Sequence, residues 1–112
     1  MGLYSRIHAV VRPCLVCGYP GERVFQFKFA DKRLRDYRVG DALFWESNVD
    51  GEPGHRRVRT SGTAEPCPRC GKCDPSTYEV VIEEDRIAHI ADLGEHANEL
   101  DLFGPDGYQY ED

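Results

Sequence analysis

The stretch CPRCG at residues 67–71 has the form Cys-x-x-Cys-Gly, and only CLVCG at residues 14–18 repeats it. Two thiolates three residues apart converge on one cation only if the backbone between them makes a tight turn. Backbone N–H groups in such a turn donate to the sulfurs, and the glycine that follows accepts the positive φ that the turn often requires. We therefore predict that the two stretches form one site with four sulfur ligands, Cys14, Cys17, Cys67 and Cys70.

Four cysteine sulfurs make a tetrahedral site for which zinc is the default ion, with iron as the alternative because soft sulfur ligands accept both. A Cys-x-x-Cys pair is also typical of redox dithiols, usually near a βαβ pattern and at a helix N-terminus. Neither stretch opens a predicted helix, and Pro13, Gly18 and Pro68 favour turns. Since four thiolates leave no open position for water, we expect a structural metal and no enzymatic activity.

The two Cys-x-x-Cys-Gly knuckles in a chain rich in β signals resemble the zinc-ribbon group. This resemblance implies that Cys14, Cys17, Cys67 and Cys70 are zinc ligands and that two hairpin-like knuckles face each other. Zinc ribbons usually separate their cysteine pairs by about 15–20 residues, whereas residues 18–66 lie between the pairs here. We therefore expect a β insertion between the knuckles.

Cys73 is the third cysteine of the stretch CPRCGKC at residues 67–73. Gly71 directly after Cys70 favours the 67/70 pair as ligands, so Cys73 is a surplus thiol. It is either a bystander or a reactive group, and the second possibility makes a redox- or metal-responsive protein one functional hypothesis.

The segment RVFQFKF at residues 23–29 predicts a half-buried strand, because Phe25, Phe27 and Phe29 alternate with polar residues. We expect the three rings in the core; the alternative is an exposed row that stacks nucleic-acid bases. Further strands are predicted at 6–11, 42–46 and 55–60, and a hairpin at 77–90 with its turn at Glu84-Asp85. The expected fold is mainly β, a small antiparallel domain of zinc-ribbon type with five to seven strands.

The length of 112 residues fits one domain. No apolar run approaches the ~20 residues that cross a bilayer, and the N-terminus lacks the pattern of a secretory signal. We expect a cytoplasmic protein without membrane contact. All 14 Lys and Arg precede residue 95, and residues 95–112 hold six acids. This predicts a zinc-binding β domain at 1–94 and an acidic tail at 95–112.

The charge distribution suggests two kinds of partner. The acidic tail favours a protein with a basic surface, which makes the chain a non-catalytic adaptor or an immunity-type inhibitor of a basic partner such as a nuclease toxin. Tail acids covering the protein's own basic face are the alternative. A nucleic-acid-binding zinc ribbon is a further hypothesis, with eight candidate phosphate contacts: Lys28, Lys32, Arg33, Arg35, Arg38, Arg56, Arg57 and Arg59.

Overall fold

The computed structural model describes residues 4–31, 33–46, 49–95 and 97–112. Strands dominate this part of the chain, as the alternating segments predict. The elements in chain order are β1 (Tyr4–Ala9), β2 (Arg23–Phe27), β3 (Ala30–Asp31), β4 (Arg33–Arg38), β5 (Val49–Asp50), β6 (Arg57–Ala64), β7 (Thr77–Glu83), β8 (Arg86–Asp92), α1 (Glu99–Phe103) and β9 (Tyr108–Tyr110).

Seven strands form one sheet in the order β4-β1-β2-β6-β7-β8, with β9 also paired to β6, while β3 and β5 form a separate pair. The pairing of β1 with β4 is parallel, and the other strand pairs are antiparallel. The strand β6 is long enough to use one edge twice: residues 62–64 pair with β2, and residues 58–60 pair with β9. The expected mainly β, mainly antiparallel fold is confirmed.

The sheet curls until its two edge strands approach each other. Backbone N–H groups of Gly40 and Leu43, which follow β4, donate to the carbonyl oxygens of Ile87 and Asp85 at 2.7 and 2.9 Å. The N–H of Ile87 donates to Asp41 at 3.0 Å. These bonds give the backbone N–H and carbonyl groups of Ile87, on the edge strand β8, partners in the segment after β4.

The interior of the curled sheet is filled by the aromatic residues that the alternation predicts. Phe25, Phe27 and Phe29 are each 1–2% exposed, so the prediction of core rings is confirmed and the alternative of a base-stacking row is wrong. Phe29 makes edge contacts with Trp45 and Tyr108 at centroid distances of 5.4 and 5.2 Å. Burial of aromatic side chains of this size is a dominant stabilising contribution in a small domain.

The hairpin predicted at 77–90 is present as β7 and β8. Glu84 and Asp85 connect the strands with φ values of 53° and 61°. Two consecutive positive φ values belong to the type I′ turn, whose twist matches that of antiparallel strands. Tyr78, Val80 and Ile82 are all buried, as their spacing predicts.

The prediction of a strand at 42–46 is wrong, because only Ala42 makes an isolated bridge. The backbone of this segment bonds to three different parts of the chain: Leu43 N–H to Asp85, Phe44 N–H to the Tyr37 hydroxyl, and Phe44 carbonyl to the Asp31 N–H. No single described strand pairs with residues 42–46 along their length. Leu43 nevertheless packs inward at 8% exposure, whereas the neighbouring Phe44 is 49% exposed.

Two segments without a strand prediction form strands. Residues 33–38, inside the charged segment 31–41, form β4, and β6 continues through residues 61–64. The edge position of β4 explains the first difference, because charged side chains on an edge strand remain at the surface and mask the alternation. Tyr37 is the buried exception, at 2% exposure.

The acidic segment 95–112 contributes a helix and a strand. The side chain of Asn98 caps α1 by accepting from the N–H groups of Leu100 and Asp101 at 3.0 and 3.2 Å. Phe103 at the end of the helix is fully buried, and β9 then pairs with β6. Among the described residues, no helix has the length and apolar character needed to cross a membrane.

We predict that Gly51→Ala destabilises the domain more than Gly54→Ala. Both glycines have positive φ, so each alanine carries a backbone strain of about 1–2 kcal/mol. A Cβ at Gly51 would also lie 2.3 Å from Cε1 of the buried Phe29, whereas a Cβ at Gly54 meets no atom within 4 Å among the described residues. The forced shift of the ring should add about 1–3 kcal/mol. Equal losses for the two variants in urea unfolding would contradict the close packing at Phe29.

Candidate metal centre

Two knuckles with the same backbone geometry carry the candidate ligands. In the first, Gly18 N–H donates to the Cys14 carbonyl at 2.8 Å and Cys14 N–H donates to Tyr19 at 2.9 Å. In the second, Gly71 N–H donates to the Cys67 carbonyl at 2.8 Å and Cys67 N–H donates to Lys72 at 3.0 Å. Gly18 and Gly71 have φ values of 77° and 73°, which explains the glycine after each pair.

Strand order brings the knuckles together. The first knuckle follows β1 and the second follows β6, and both strands pair antiparallel with β2, which lies between them. β1 and β6 therefore run in the same direction and deliver their knuckles to the same end of the sheet. Of the strands between the knuckles, β2, β4 and β6 belong to the same sheet as β1, β7 and β8, and β3 and β5 form a separate pair.

The four sulfur atoms of Cys14, Cys17, Cys67 and Cys70 lie within 4.8 Å of one another and could hold a metal ion. The distance from Cys14 Sγ to Cys70 Sγ is 3.8 Å, and that from Cys17 Sγ to Cys67 Sγ is 3.7 Å. A tetrahedral ion with metal–sulfur bonds of about 2.3 Å holds its sulfurs about 3.8 Å apart. These two distances match a tetrahedral four-sulfur site, and the other sulfur–sulfur distances do not exceed 4.8 Å.

Backbone N–H groups make the knuckle interior favourable for thiolates. Those of Cys17 and Val16 donate to the Cys14 sulfur and lower the pKa of Cys14 to about 6. Those of Cys70 and Arg69 likewise lower the pKa of Cys67. The Tyr19 N–H donates to Cys17, but desolvation and the neighbouring sulfurs outweigh it and raise the pKa of Cys17 to about 11. A cation is the natural means of holding four thiolates this close.

An ion-pair network that the sequence did not reveal fixes the knuckles to the sheet. Arg12, two residues before Cys14, reaches Asp92 of β8 at 2.6 Å and Asp74, after the second knuckle, at 2.9 Å. The Tyr78 hydroxyl donates to Asp74 at 2.5 Å. Side-chain exposure is only 6% at Asp74 and 18% at Arg12. The only sequence signal for this network is a charged residue close to each knuckle.

Cys73 is exposed and is not among the four clustered cysteines. It nevertheless lines a small cavity together with Cys14, Leu15 and Val16. The two apolar residues form the exposed outer side of the first knuckle, with 79% exposure at Leu15 and 65% at Val16. The fifth cysteine is thus accessible beside the cluster.

The arginines predicted to contact nucleic acid are largely paired with carboxylates of the same chain. Arg35 contacts Asp31 and Glu46, and Arg38 contacts Glu22. The ion pairs on β6 are Arg57 with Glu83 and Glu111, and Arg59 with Glu79 and Glu111. Lys28 and Arg56 are exposed, while Lys32 and the side chain of Arg33 lie outside the described residues. Nothing in this arrangement indicates a nucleic-acid surface.

The last residues of the chain cover part of this basic cluster. Glu111 contacts both Arg57 and Arg59. Asp112 accepts from the Arg56 N–H at 2.8 Å and lies 2.6 Å from Nδ1 of His55, whose ring stacks on Tyr110 at a centroid distance of 3.4 Å. The hydrogen bond to Asp112 raises the pKa of His55, and Glu52 adds to this while desolvation opposes it.

Comparison with known proteins adds no relative: no protein-family model, no curated protein and no solved structure matches the chain. The assignment of this site as a four-cysteine cluster on a curled β sheet therefore depends on the residues of this chain alone.

We predict that Asp112→Asn lowers the pKa of His55 and destabilises the domain in a defined pH range. Because the pKa of His55 is raised in the folded state, this residue stabilises the fold fully below its unfolded pKa of about 6.5, and the stabilisation is lost as the pH rises through the folded pKa. Because the pKa of Asp112 is lowered in the folded state, this residue stabilises the fold above about pH 4, and the stabilisation is lost at lower pH. The difference from wild type should therefore be largest between about pH 4 and 6.5.

NMR titration of the His55 ring and urea unfolding at several pH values measure these effects. Asp106→Asn is the matched control, since Asp106 is an exposed acid without a side-chain hydrogen bond among the described residues. A His55 pKa that is identical in wild type and Asp112→Asn would show that the contact does not form in solution.

Proposed function

We propose that Cys14, Cys17, Cys67 and Cys70 bind one zinc ion as a closed tetrathiolate and that this ion has a structural role. The observation that carries the proposal is the sulfur spacing of 3.7 and 3.8 Å across the two knuckles. The pairing of each knuckle with a glycine at positive φ supports it further. Zinc is favoured over iron because it is the usual ion of structural four-cysteine sites.

A structural role follows from the ligand set. Four thiolates fill the coordination shell of a tetrahedral ion, so no position remains for a substrate or an activated water. The ion would connect the ends of β1 and β6 and close the long chain segment between Cys17 and Cys67. Closing a segment of this length removes conformational entropy from the unfolded chain, so metal binding would stabilise the folded state.

We predict that Cys70→Ser loses tightly bound zinc while Cys73→Ser retains one equivalent. The two residues are three positions apart, but only Cys70 belongs to the sulfur cluster, so Cys73→Ser is a matched control. At free zinc about 1,000 times the dissociation constant, bound metal contributes about 4 kcal/mol. Cys70→Ser or a strong chelator should therefore lower the melting temperature by about 15 °C or more.

Elemental analysis and thermal unfolding with and without chelator measure these outcomes. If protein from native cells contains iron in place of zinc, the proposal of a four-cysteine metal site is supported and only the identity of the ion is corrected. Wild-type protein without any bound metal, with a melting temperature that a chelator does not change, would overturn the proposal.

We further propose that the domain is a non-catalytic binding module whose partner is a protein with a basic surface. The support is a group of exposed side chains on and around α1, which we call the acidic face: Glu95, Glu99, Leu100, Asp101 and Asp106. All five side chains are exposed, and Leu100 presents 62% of its surface to solvent. Unlike Glu111 and Asp112, the four acids make no ion pair with a described basic residue.

The chemistry of this face favours a cationic protein with a small apolar spot. Leu100 stands between two carboxylates on one short helix, and no Lys or Arg follows Arg86 in the sequence. Interfaces of this kind use charge to steer association and an apolar anchor to retain the complex. An adaptor and an immunity-type inhibitor that covers the basic site of a nuclease toxin both fit this description.

We predict that Asp101→Lys weakens capture of the partner about tenfold or more at low salt, and that Glu84→Lys does not. Glu84 is an exposed acid at the β7–β8 turn, so the control changes net charge equally but outside the acidic face. Reversing a rim charge mainly slows association and increases its salt dependence. Affinity capture from native cells over a salt series, with quantitative mass spectrometry, measures the effect.

If the captured partner is a nuclease whose activity falls when the domain is added, the inhibitor hypothesis is supported. If the captured partner has no nuclease activity, the adaptor hypothesis is supported. Equal capture by both variants would overturn the assignment of the acidic face.

A further inference from the structure

Arg23 is a buried cation at the metal-centre end of the sheet without a carboxylate partner among the described residues. Only 3% of this residue is exposed. Its Nη2 donates to the Glu65 carbonyl at 3.1 Å, while its Nε is buried without any acceptor. Arginine remains charged at any physiological pH. A buried charge of this kind needs a nearby negative charge to compensate its loss of hydration.

The position of Arg23 points to the four cysteines as the source of that negative charge. Arg23 begins β2 and lies opposite Ala9, the last residue of the strand that precedes the first knuckle. Its hydrogen-bond acceptor, Glu65, lies two residues before Cys67. Arg23 also lines a cavity of about 50 Å³ that Cys14 lines as well. It therefore contacts the approaches to both knuckles.

The neighbouring cations differ from Arg23 in how their charge is balanced. Arg12, on the same cavity, is paired with Asp74 and Asp92. Lys72 is exposed, so water hydrates it. Arg23 makes no ion pair with a described carboxylate, and only 3% of the residue is exposed. Four thiolates around a divalent ion carry a net charge of −2, whereas four protonated cysteines carry none. The metal-bound, deprotonated cluster would supply a full compensating charge at the end of the sheet where Arg23 is buried.

We propose that Arg23 is the counter-charge of the metal–tetrathiolate centre and favours its dianionic form. Arg23 is a positioning residue in this role, because it acts on the electrostatic potential at the centre and not as a ligand. It should increase the affinity for a divalent ion, and it should favour a divalent over a trivalent ion, whose tetrathiolate carries only −1. The inference rests on the proposed metal site, and the experiments below separate the two.

The first experiment measures zinc affinity by chelator competition in wild type, Arg23→Met, Arg23→Gln, Arg23→Lys and the control Arg69→Met. Arg69 is exposed and adjacent to Cys70, so the control removes the same charge closer to a ligand in sequence but in contact with water. We expect Arg23→Met and Arg23→Gln to bind zinc about tenfold or more weakly. We expect Arg23→Lys and Arg69→Met to remain within about threefold of wild type.

The use of two neutral variants guards against a local packing defect, because glutamine can still donate to the Glu65 carbonyl. Wild-type protein that takes up no zinc would overturn the metal site and the role of Arg23 together. Wild type that binds zinc, with all variants within about twofold of it, would overturn only the role of Arg23.

The second experiment uses iron, which a four-cysteine site also accepts. In the iron-loaded protein the centre changes between −1 and −2 on one-electron reduction at an electrode. A nearby cation stabilises the more negative reduced form, so Arg23→Met should shift the reduction potential to more negative values, while Arg23→Lys and Arg69→Met should shift it less. A weaker zinc site with an unchanged potential would show that Arg23 acts through packing alone and would overturn the proposal.

Discussion

The arrangement of this domain depends on one constraint of sheet geometry: β1 and β6 flank β2 and both run antiparallel to it. The segments that follow these two strands therefore leave the sheet at the same end, on either side of the start of β2. The chain uses this end of the sheet for Cys14 and Cys17 on one side and Cys67 and Cys70 on the other. The long sequence separation of the cysteine pairs thus has a simple geometrical explanation.

Charges around the cysteine cluster are balanced in two ways. An ion-pair network joins Arg12, Asp74 and Asp92 and connects both knuckles to β8. Arg23 is buried and makes no ion pair with a described carboxylate. The proposed dianionic centre would balance Arg23, whereas Arg12 already contacts two carboxylates. Metal binding and strand packing would then be coupled through the electrostatics of a few side chains.

Those parts of the fold that depend on local patterns could be predicted from the sequence. The alternation of Phe25, Phe27 and Phe29 predicts β2, and Glu84-Asp85 marks the turn of the β7–β8 hairpin. The repeated Cys-x-x-Cys-Gly form predicts which four of five cysteines meet. Each of these signals lies within a few residues, where side-chain spacing and turn geometry decide the conformation.

The features that escaped prediction depend on distant pairing. The charged sequence of β4 gives no alternation, since it pairs in parallel with β1 at the sheet edge. The apolar sequence at 42–46 looks like a strand but bonds to three separate parts of the chain. The ion pairs of Arg12 and the burial of Arg23 also escaped prediction, because a single arginine carries no spacing signal. Such residues acquire a role only from what the fold brings next to them.

The double use of one edge of β6 has a consequence for the synthesis of the protein. Residues 58–60 pair with β9, the last strand in the chain, whereas residues 62–64 pair with β2. While the ribosome adds the residues up to β9, part of β6 presents free backbone donors and acceptors. Unpaired strand edges are templates for aggregation. The nascent chain therefore carries an unprotected strand edge until β9 has been synthesised and pairs with this part of β6.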